Sequence, residues 1–456
     1  MNRIVRAWNT AQVAARGAFE SRVPFWPLAR IEWLQRRRVR AIVRHAYASV
    51  PFYRDAMRAR GLRPSDFRTA SDLEKLPLLD SLIVREQLDA FFSSAVDDRS
   101  RLEFHTSGTH SGAQKLVYWD HFSALKLLTH GQRDLPILRR LLKRTWGQDQ
   151  LFILPLDSST MLLRQFWDSH LLAPRRLANR HFVNHLEPFE TVLERMNAIR
   201  PQIVMSYGSY AEQFFRTLSE RWLNAALPQV WSYGSDSMDP GVREWIERTY
   251  GCQIVTVYGS VESGRLGWEC ERRQGFHLNV DQCAVRLVDD EGRTVPPGQL
   301  GEVVVSNLYN RATVLLNMRL DDLGVLDPNP CHCGRSLPLL SSFEGRTSEL
   351  IQTTADRRLP ARIVFTALHD DLRGTLINQL VHPRAGEIRW RVVPATGIDR
   401  TAFAANLIAR SRELLDPELR VTVEFVDAIE RTRAGKLRRV VRVSERLPGN
   451  DADTGA

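Results

Sequence analysis

The chain has 456 residues, of which 43% are hydrophobic and 25% are charged, and its formal net charge is +10. This length predicts two or three domains rather than one core. No run of about 18 apolar residues occurs, which excludes the pattern of a membrane-spanning helix. The basic segment 1–23 lacks the unbroken apolar stretch of a secretory signal, so we expect the protein in the cytoplasm.

The positive charge has two interpretations, a surface for phosphate-bearing partners or an ordinary solvated arginine surface. The densest basic run, residues 33–47, carries apolar Ile42, Val43 and Ala46, which predict a helix with one buried face. It lacks the alternating aromatic and basic side chains that stack on single-stranded nucleic acid. We therefore prefer the solvated surface.

The elements predicted along the chain indicate an α/β fold. The first hundred residues are predicted to be helical, and after residue 101 short apolar runs alternate with amphipathic stretches. The apolar runs are 151–156, 202–207 and 253–259, and the helical stretches are 188–199 and 240–250. Buried strands alternating with helices predict a largely parallel sheet.

The last third of the chain has a different pattern. Residues 284–308 contain two strand-like runs separated by a turn-rich loop, which predicts an antiparallel β unit. Strands at 387–393 and 421–426 flank a predicted helix near 400–415. We expect a large domain of residues 1–345 and a small α+β domain of residues 346–456.

The stretch HTSGTHSGAQK, residues 105–115, is rich in small and hydroxyl residues. Backbone amides around Gly108 and Gly112, with the hydroxyls of Ser107 and Thr109, are suited to an anion. Lys115 closes the stretch and is able to approach phosphate oxygens. The spacing is not that of the P-loop, and a simple polar turn remains an alternative.

The stretch VYGSVESG, residues 257–264, follows a predicted strand. Tyr258, Gly259 and Ser260 bring a flat ring and a close-approach backbone to the carboxyl end of that strand, where open α/β sheets bind ligands. Glu262 is a candidate Mg²⁺ ligand, although an isolated carboxylate is usually solvated.

Three charged residues stand out further along the chain. Asp322 in RLDDLG has the acceptor that a ribose needs, and Arg346 in EGR has complementary donors; each is also compatible with a charged turn. Lys436 is one of only five lysines among 63 basic residues, and it stands among arginines in RTRAGKLRRV. A compact ammonium on a flexible stem suits a crowded site better than a planar guanidinium.

Taken in order, these stretches resemble the adenylate-forming superfamily, and more narrowly the phenylacetate–CoA ligase and capsular-polysaccharide CapK-like branch. The succession is the hydroxyl-glycine loop, then GSD at 234–236, YGSVE at 258–262, RLDDLG at 319–324, EGR at 344–346 and GK at 435–436. The segment AYASVPFYRDAM, residues 46–57, also resembles that branch, so the likeness covers almost the whole chain.

The resemblance implies an adenylating-enzyme fold with a mobile C-terminal domain. It implies activation of a carboxylic acid by ATP as an acyl-adenylate, release of pyrophosphate, and transfer of the acyl group to the thiol of coenzyme A. Lys436, Glu262 and Thr109 would be catalytic, and Thr109 and Glu262 would also hold Mg²⁺. The implied nucleotide-binding residues are Ser107, Gly108, Thr109, Gly112, Lys115, Gly234, Ser235, Asp236, Tyr258, Gly259, Ser260, Asp322 and Arg346.

The chain also departs from the pattern of that branch. Val261 stands where a threonine is usual, and Ser348 and Glu349 replace paired aspartates. The segment after them lacks the glycine that borders the thiol tunnel. Two alternatives therefore stay open. One is transfer to an amine or a carrier-protein thiol, and the other is a basic nucleic-acid-binding or membrane-binding homologue without catalysis. The acid is expected to be small; Tyr207, Trp231 and Tyr233 suit an aromatic or apolar one.

The five cysteines form no even disulfide framework, but they suggest a metal site. Cys331 and Cys333 in CHCG, with Cys270 and His277, have the ligand types of a tetrahedral structural zinc site. Cys283 is a substitute ligand, and unliganded thiols are the alternative.

Overall fold

The computed structural model describes residues 2–105, 116–142, 147–172, 178–432 and 436–442. The predicted phosphate-loop residues Ser107, Gly108, Thr109, Gly112 and Lys115 lie outside these ranges, so their role stays a prediction. Across the described ranges, no helix is both long and apolar enough to cross a bilayer.

The N-terminal part is helical, as predicted. Its helices are α1 (Arg3–Glu20), α2 (Leu28–Ser49), α3 (Pro51–Ala59) and α4 (Ser81–Glu86). Helix α2 contains the predicted segment 33–47, and Ile42, Val43 and Ala46 lie on its buried face. The antiparallel strands β1 (Arg101–His105) and β2 (Leu116–Asp120) and the helices α5 (His121–His130) and α6 (Leu135–Leu141) follow.

Five parallel strands and the helices between them form the α/β part. The strands are β3 (Gln148–Ile153), β4 (Ala178–Val183), β5 (Ile203–Ser206), β6 (Val230–Tyr233) and β7 (Gln253–Ser260). The helices are α7 (Ser159–His170), α8 (Phe189–Ile199), α9 (Gly208–Glu220) and α10 (Pro240–Tyr250). The predicted apolar runs and helical stretches of this region are confirmed.

An antiparallel half extends the same sheet. Its strands are β8 (Gly264–Glu269), β9 (Phe276–Leu278), β10 (Cys283–Val288), β11 (Leu300–Asn307), β12 (Met318–Leu326) and β13 (Leu339–Arg346). The eleven strands lie in the order β10-β11-β12-β13-β9-β8-β7-β6-β5-β3-β4. The pair β10 and β11 is the predicted antiparallel unit.

The C-terminal part has its own core. Its elements are β14 (Ile351–Gln352), β15 (Arg358–Leu359), α11 (Ala361–Ala367), β16 (Thr375–Arg384), β17 (Glu387–Pro394), α12 (Arg400–Leu414), β18 (Arg420–Phe425) and β19 (Val440–Arg442). A four-stranded sheet runs in the order β18-β17-β16-β19. Its apolar cluster begins at Ile351 and includes Trp390 and Leu407, so a separate small domain is present. The division at residue 346 stays a prediction.

Helix α9 is the surface on which the small domain rests. Glu212 of α9 is buried and forms ion pairs with Arg439 of the small domain and Arg216 of its own helix. The Arg216 guanidinium also donates to the Thr375 carbonyl at 3.2 Å. These contacts set the position of the chain segment around Lys436 relative to the large domain.

Candidate active site

The candidate site lies at the carboxyl ends of the parallel strands. Tyr207 follows β5, the segment 234–236 follows β6, and Glu262 follows β7. Because the carboxyl ends of parallel strands share one edge, these residues meet there although they are far apart in sequence. The described part of the site is assembled at this edge.

The turn after β7 holds Glu262 in a fixed place. A Cβ atom on Gly259 would lie 2.5 Å from the Gly264 carbonyl oxygen, so only glycine fits. The Ser260 and Ser263 hydroxyl oxygens lie 2.7 Å apart. The Glu262 carbonyl accepts a 2.9 Å hydrogen bond from the Asn307 amide, and the residue is only 7% exposed. The Glu262 carboxylate therefore belongs to a rigid, buried turn.

Tyr258, Asp322 and Arg346 form a connected polar group. The Tyr258 hydroxyl donates to Asp322 Oδ2 at 2.8 Å, and Arg346 Nε lies 3.6 Å from Asp322 Oδ1. Asp322 and Arg346 are directly opposite each other on β12 and β13. Burial raises the pKa of Asp322 to about 6, while the Arg346 charge favours the carboxylate. Asp322 is thus a buried acceptor that is ionised at neutral pH.

The segment Gly234–Ser235–Asp236 turns sharply after β6. Ser235 is exposed and adopts a left-handed conformation with φ of 70°. The Asp236 carboxylate caps α9: Oδ1 accepts from the Gly208 amide and Oδ2 from the Ser209 hydroxyl, both at 2.5 Å. Burial raises the pKa of Asp236, and its contacts with Ser209 and Lys436 oppose this. The segment therefore joins β6 firmly to the first turn of α9.

Lys436 reaches the same edge from the small domain. The Thr432 and Lys436 backbones are joined by a 2.9 Å hydrogen bond, and the Lys436 amide donates to Thr432 Oγ1 at 3.1 Å. Lys436 Nζ lies 5.7 Å from the centre of the Tyr207 ring. Lys436, the only lysine of the small domain, thus lies next to Tyr207 of the large domain.

The charges around Lys436 come from all parts of the site. Burial and the Arg346 charge together lower the pKa of Lys436 to about 8, while Asp236, Asp322 and Glu262 act in the opposite direction. The structure therefore brings these predicted residues into one electrostatic neighbourhood; their individual roles stay predictions. A site with two cations and three carboxylates can hold a ligand that carries both anionic groups and donors.

His185 is a feature that the sequence reasoning missed. It follows β4 at the carboxyl edge, is 6% exposed, and its ring lies 5.8 Å from that of Tyr207. Within the described ranges neither of its ring nitrogens has a hydrogen-bond partner. Burial lowers its pKa to about 4, and Arg431 acts in the same direction. A neutral, unsatisfied imidazole next to Tyr207 is poised to bind a polar group. Its place two residues after the end of β4, at the carboxyl edge of the sheet, is the signal that could have found it.

The three aromatic residues suggested by the sequence have different places. Tyr207 faces Lys436, whereas Tyr233 packs against Gly208. Trp231 is fully buried, and its indole donates to Ser206 Oγ at 2.8 Å. Trp231 therefore supports the sheet from within the core.

The second cluster lies in the antiparallel half of the sheet. One ligand atom from each of Cys270, His277, Cys331 and Cys333 lies within 4.8 Å of all the others. The Cys270 and Cys331 sulfurs are 3.7 Å apart, and Cys333 Sγ is 3.3 Å from His277 Nε2. Tetrahedral zinc with Zn–S bonds of about 2.3 Å places its sulfur ligands about 3.8 Å apart. Cys283 is not a member of the cluster.

Neighbouring groups orient the cluster for a metal. His277 Nδ1 faces the Leu337 carbonyl oxygen at 3.4 Å, which leaves Nε2 to point at Cys333. The Arg272 amide donates to Cys270 Sγ at 3.3 Å. Burial alone would raise the pKa of Cys333, but contacts with Arg335 lower it. This supporting shell of amide, carbonyl and guanidinium is typical of a thiolate metal site.

Comparison with known proteins gives a family match over most of the chain. Residues 34–310 match the family described as AMP-binding enzyme. The phenylacetate-coenzyme A ligase of Thermus thermophilus is 23% identical, over 91% of this chain and 97% of that protein. The phenylacetate-coenzyme A ligase of Escherichia coli is 24% identical, over 70% of this chain and 72% of that protein.

Solved structures match the fold over nearly the whole chain. A 2-hydroxyisobutyryl-CoA ligase in its postadenylation state superposes with a TM-score of 0.75 at 19% identity, covering 92% of this chain and 91% of the ligase. The same ligase in its thioesterification state gives a TM-score of 0.61 with the same coverage and identity. The fold of this chain therefore superposes better on the first of these two ligase structures than on the second.

Proposed function

The chain belongs to the AMP-binding enzyme family, and from this premise we propose that it activates a carboxylic acid with ATP and transfers the acyl group to coenzyme A. The predicted resemblance to the phenylacetate–CoA ligase branch of adenylate-forming enzymes is confirmed by the relatives, and the α/β class by the fold. The chain is an AMP-forming acid–thiol ligase.

The observation that carries the chemistry is the position of Lys436. Its ammonium shares one electrostatic neighbourhood with Glu262, Asp322 and Arg346, although the four residues span more than 170 positions of the sequence. Bringing a carboxylate against a polyphosphate places like charges together, so adenylation needs mobile positive charge at that point. Lys436 supplies it at the carboxyl edge of the sheet.

The first half-reaction follows from these groups. A carboxylate oxygen of the acid attacks the α-phosphorus of ATP, and the bond to the pyrophosphate oxygen breaks. Lys436 neutralises the carboxylate and the α-phosphate oxygens as they approach. Asp322 accepts hydrogen bonds from the ribose hydroxyls, and Arg346 keeps Asp322 ionised. Glu262 would hold the Mg²⁺ that accompanies ATP, and when bound the ion would offset negative charge on the pyrophosphate.

The second half-reaction requires Lys436 to withdraw. The thiolate of coenzyme A attacks the acyl carbonyl carbon, and AMP leaves with the bonding electrons. The ion pair between Glu212 and Arg439 holds the small domain in the adenylation arrangement, so its release permits the other arrangement. Coenzyme A is the acceptor that the relatives support, and an amine or carrier-protein thiol is the alternative to test.

The acid is proposed to lie between Lys436 and His185. Tyr207 separates these two groups, with ring-centre distances of 5.7 Å to the ammonium and 5.8 Å to the imidazole. A carboxylate at Lys436 would place a short apolar or aromatic body on the Tyr207 ring. The unsatisfied His185 nitrogens favour an acid that carries a hydrogen-bonding substituent at its far end.

Zinc is proposed as a structural cofactor at Cys270, His277, Cys331 and Cys333. The sulfur spacing and the oriented histidine fit tetrahedral zinc. When bound, the ion would tie β8 and β9 to the segment before β13. We also propose a cytoplasmic location, since five cysteines that form no disulfide suit a reducing compartment.

The test is pyrophosphate release over a panel of carboxylic acids, first without and then with coenzyme A, an amine or a carrier protein. We expect acid-dependent release and AMP formation that requires coenzyme A. Lys436→Ala is expected to lower pyrophosphate release by about 10² to 10³ while the protein stays folded. The matched control is Lys75→Ala, at an exposed lysine that pairs with Asp72. Salt-sensitive polyanion binding without pyrophosphate release would instead support the non-catalytic alternative.

A further inference from the structure

The positive charge of the chain is concentrated at its N-terminal end. Residues 1–63 contain fourteen arginines and three acidic residues, whereas the whole chain contains 63 basic and 53 acidic residues. The remainder of the chain is therefore almost neutral. Because the family match begins only at residue 34, part of this basic region lies outside the family pattern.

Helix α1 contacts the rest of the protein through polar residues that include Arg6, Asn9 and Glu20. The Arg6 guanidinium donates to the Leu171 carbonyl at 2.6 Å, and the Asn9 amide donates to the His170 carbonyl at 3.2 Å. Glu20 is buried and pairs with the fully buried Arg133. These residues lie on one face of the helix, which packs along α5 and against α7.

The opposite face of α1 is apolar and exposed. Ile4 is 76% exposed, Trp8 65% and Phe19 41%, and Ala11 and Ala15 fill the positions between them. A helix on the surface of a globular protein normally has the reverse orientation, with its apolar stripe buried. The helix is 18 residues and about 27 Å long, so the exposed stripe is extended.

Cations and one more aromatic residue border this stripe. Phe122 of α5 is 52% exposed, and the charged groups of Arg16 and Lys126 lie 5.0 Å and 4.4 Å from its ring centre. A shallow cavity of about 290 Å³ separates Phe122 from Trp8. The surface formed by the outer side of α1 and by Phe122 with its cations is named the N-terminal face below.

We propose that the N-terminal face lies flat on an anionic lipid membrane. An amphipathic helix of this kind buries its apolar side at the boundary between headgroups and acyl chains, and basic residues near the surface add attraction to anionic lipids. Arg16 and Lys126 at the face, within a chain end rich in arginine, provide the charge complementarity. A second copy of the chain is disfavoured as the occupant, since it would bring the Arg16 and Lys126 cations of the two copies together.

The binding is interfacial rather than spanning, which agrees with the absence of a bilayer-crossing helix from the described residues. It does not depend on the proposed ligase activity, because none of the residues of the N-terminal face belongs to the site around Lys436. It would hold the enzyme at the membrane surface, where amphiphilic acids concentrate.

The experiment is flotation of the full chain with vesicles of phosphatidylcholine containing about a quarter phosphatidylglycerol, and with pure phosphatidylcholine. We expect binding to the anionic vesicles that is lost at about 0.5 M NaCl and is at least about tenfold weaker without the anionic lipid. Trp8→Asp and Ile4→Asp should each reduce anionic-vesicle binding by about tenfold or more. The matched control is Trp222→Asp, at a tryptophan that is 93% exposed on the large domain and should bind unchanged.

Other results would overturn the proposal. If the chain does not bind anionic vesicles at low salt, the proposal is wrong. It is also wrong if Trp8→Asp and Ile4→Asp bind the vesicles as well as the wild type does. A wild-type dimer that Trp8→Asp converts to a monomer would identify the face as a contact between copies. Pyrophosphate release in solution, measured on the same variants, should stay at the wild-type level, so failure here is distinct from failure of the ligase assignment.

Discussion

Substituting Lys436 by methionine should separate the catalytic function of this residue from its effect on stability. Methionine keeps an unbranched stem of similar length but removes the ammonium. If Lys436 neutralises the two anions that react, the variant should lose about 10² to 10³ in the rate of adenylation, or about 3 to 4 kcal/mol of transition-state stabilisation. This loss should appear in pyrophosphate release with saturating ATP and acid.

The effect of Lys436→Met on stability should have the opposite sign. Burial lowers the pKa of Lys436 from 10.5 to about 8. Burying the charged ammonium in the enzyme without substrate therefore costs free energy of folding. This cost is fully present below pH 8 and disappears as the pH rises towards 10.5. It amounts to at most about 3 kcal/mol at pH 7, and the partial exposure of the side chain reduces it. Lys436→Met should therefore unfold at a higher temperature than the wild type at pH 7, with the difference fading above pH 10.

Two measurements check this prediction, single-turnover pyrophosphate release and thermal unfolding across pH. The wild-type rate should fall as the pH rises past the pKa of Lys436, which bound ATP will shift upwards. Lys75→Met is the control, because the Lys75–Asp72 pair is exposed and should affect neither quantity strongly. A Lys436→Met protein that retains its activity, or that loses stability at pH 7, would show that the lysine is a structural residue and refute the reasoning.

The remaining predictions concern the nucleotide, the domain contact and the metal. Asp322→Asn should raise the KM for ATP at least about tenfold. In the wild type this KM should rise as the pH falls below about 6, because burial raises the pKa of Asp322 and protonation removes its charge. A KM for ATP that does not change with pH would contradict this prediction. Glu212→Gln should slow adenylation by about tenfold or more, because it breaks the buried ion pair with Arg439. Thioester formation from supplied acyl-adenylate should be unaffected. The control is Glu190→Gln, which removes an exposed ion pair. Elemental analysis should find one zinc per chain. Cys331→Ser should lose the zinc and unfold several degrees lower, while its KM for ATP stays unchanged. Wild-type protein that contains no zinc would rule the site out.

Local patterns were enough to predict some elements of the fold. The apolar run at 253–259 and the stretch 240–250 became β7 and α10, because burial of a periodic apolar face is decided largely by neighbouring residues. The C-terminal strand β16 was not anticipated: its sequence TLINQLVHPR interrupts the apolar alternation with buried Asn378 and Gln379. Those polar residues are satisfied by tertiary contacts, among them the Arg438 carbonyl that accepts from the Gln379 amide.

The sequence alone also determined which residue types are available for chemistry. These are a lone C-terminal lysine, a glutamate between two glycines after a strand, and three cysteines and a histidine of the types that bind zinc. The tertiary structure decided which of these meet. Lys436 shares one electrostatic neighbourhood with Glu262 and Asp322 because contacts such as that of Glu212 with Arg439 dock the small domain on α9. Likewise, amphipathicity does not reveal which side of α1 faces water, since packing against α5 and α7 makes that choice. Distances between residues remote in sequence depend on the whole sheet order, and no local pattern encodes them.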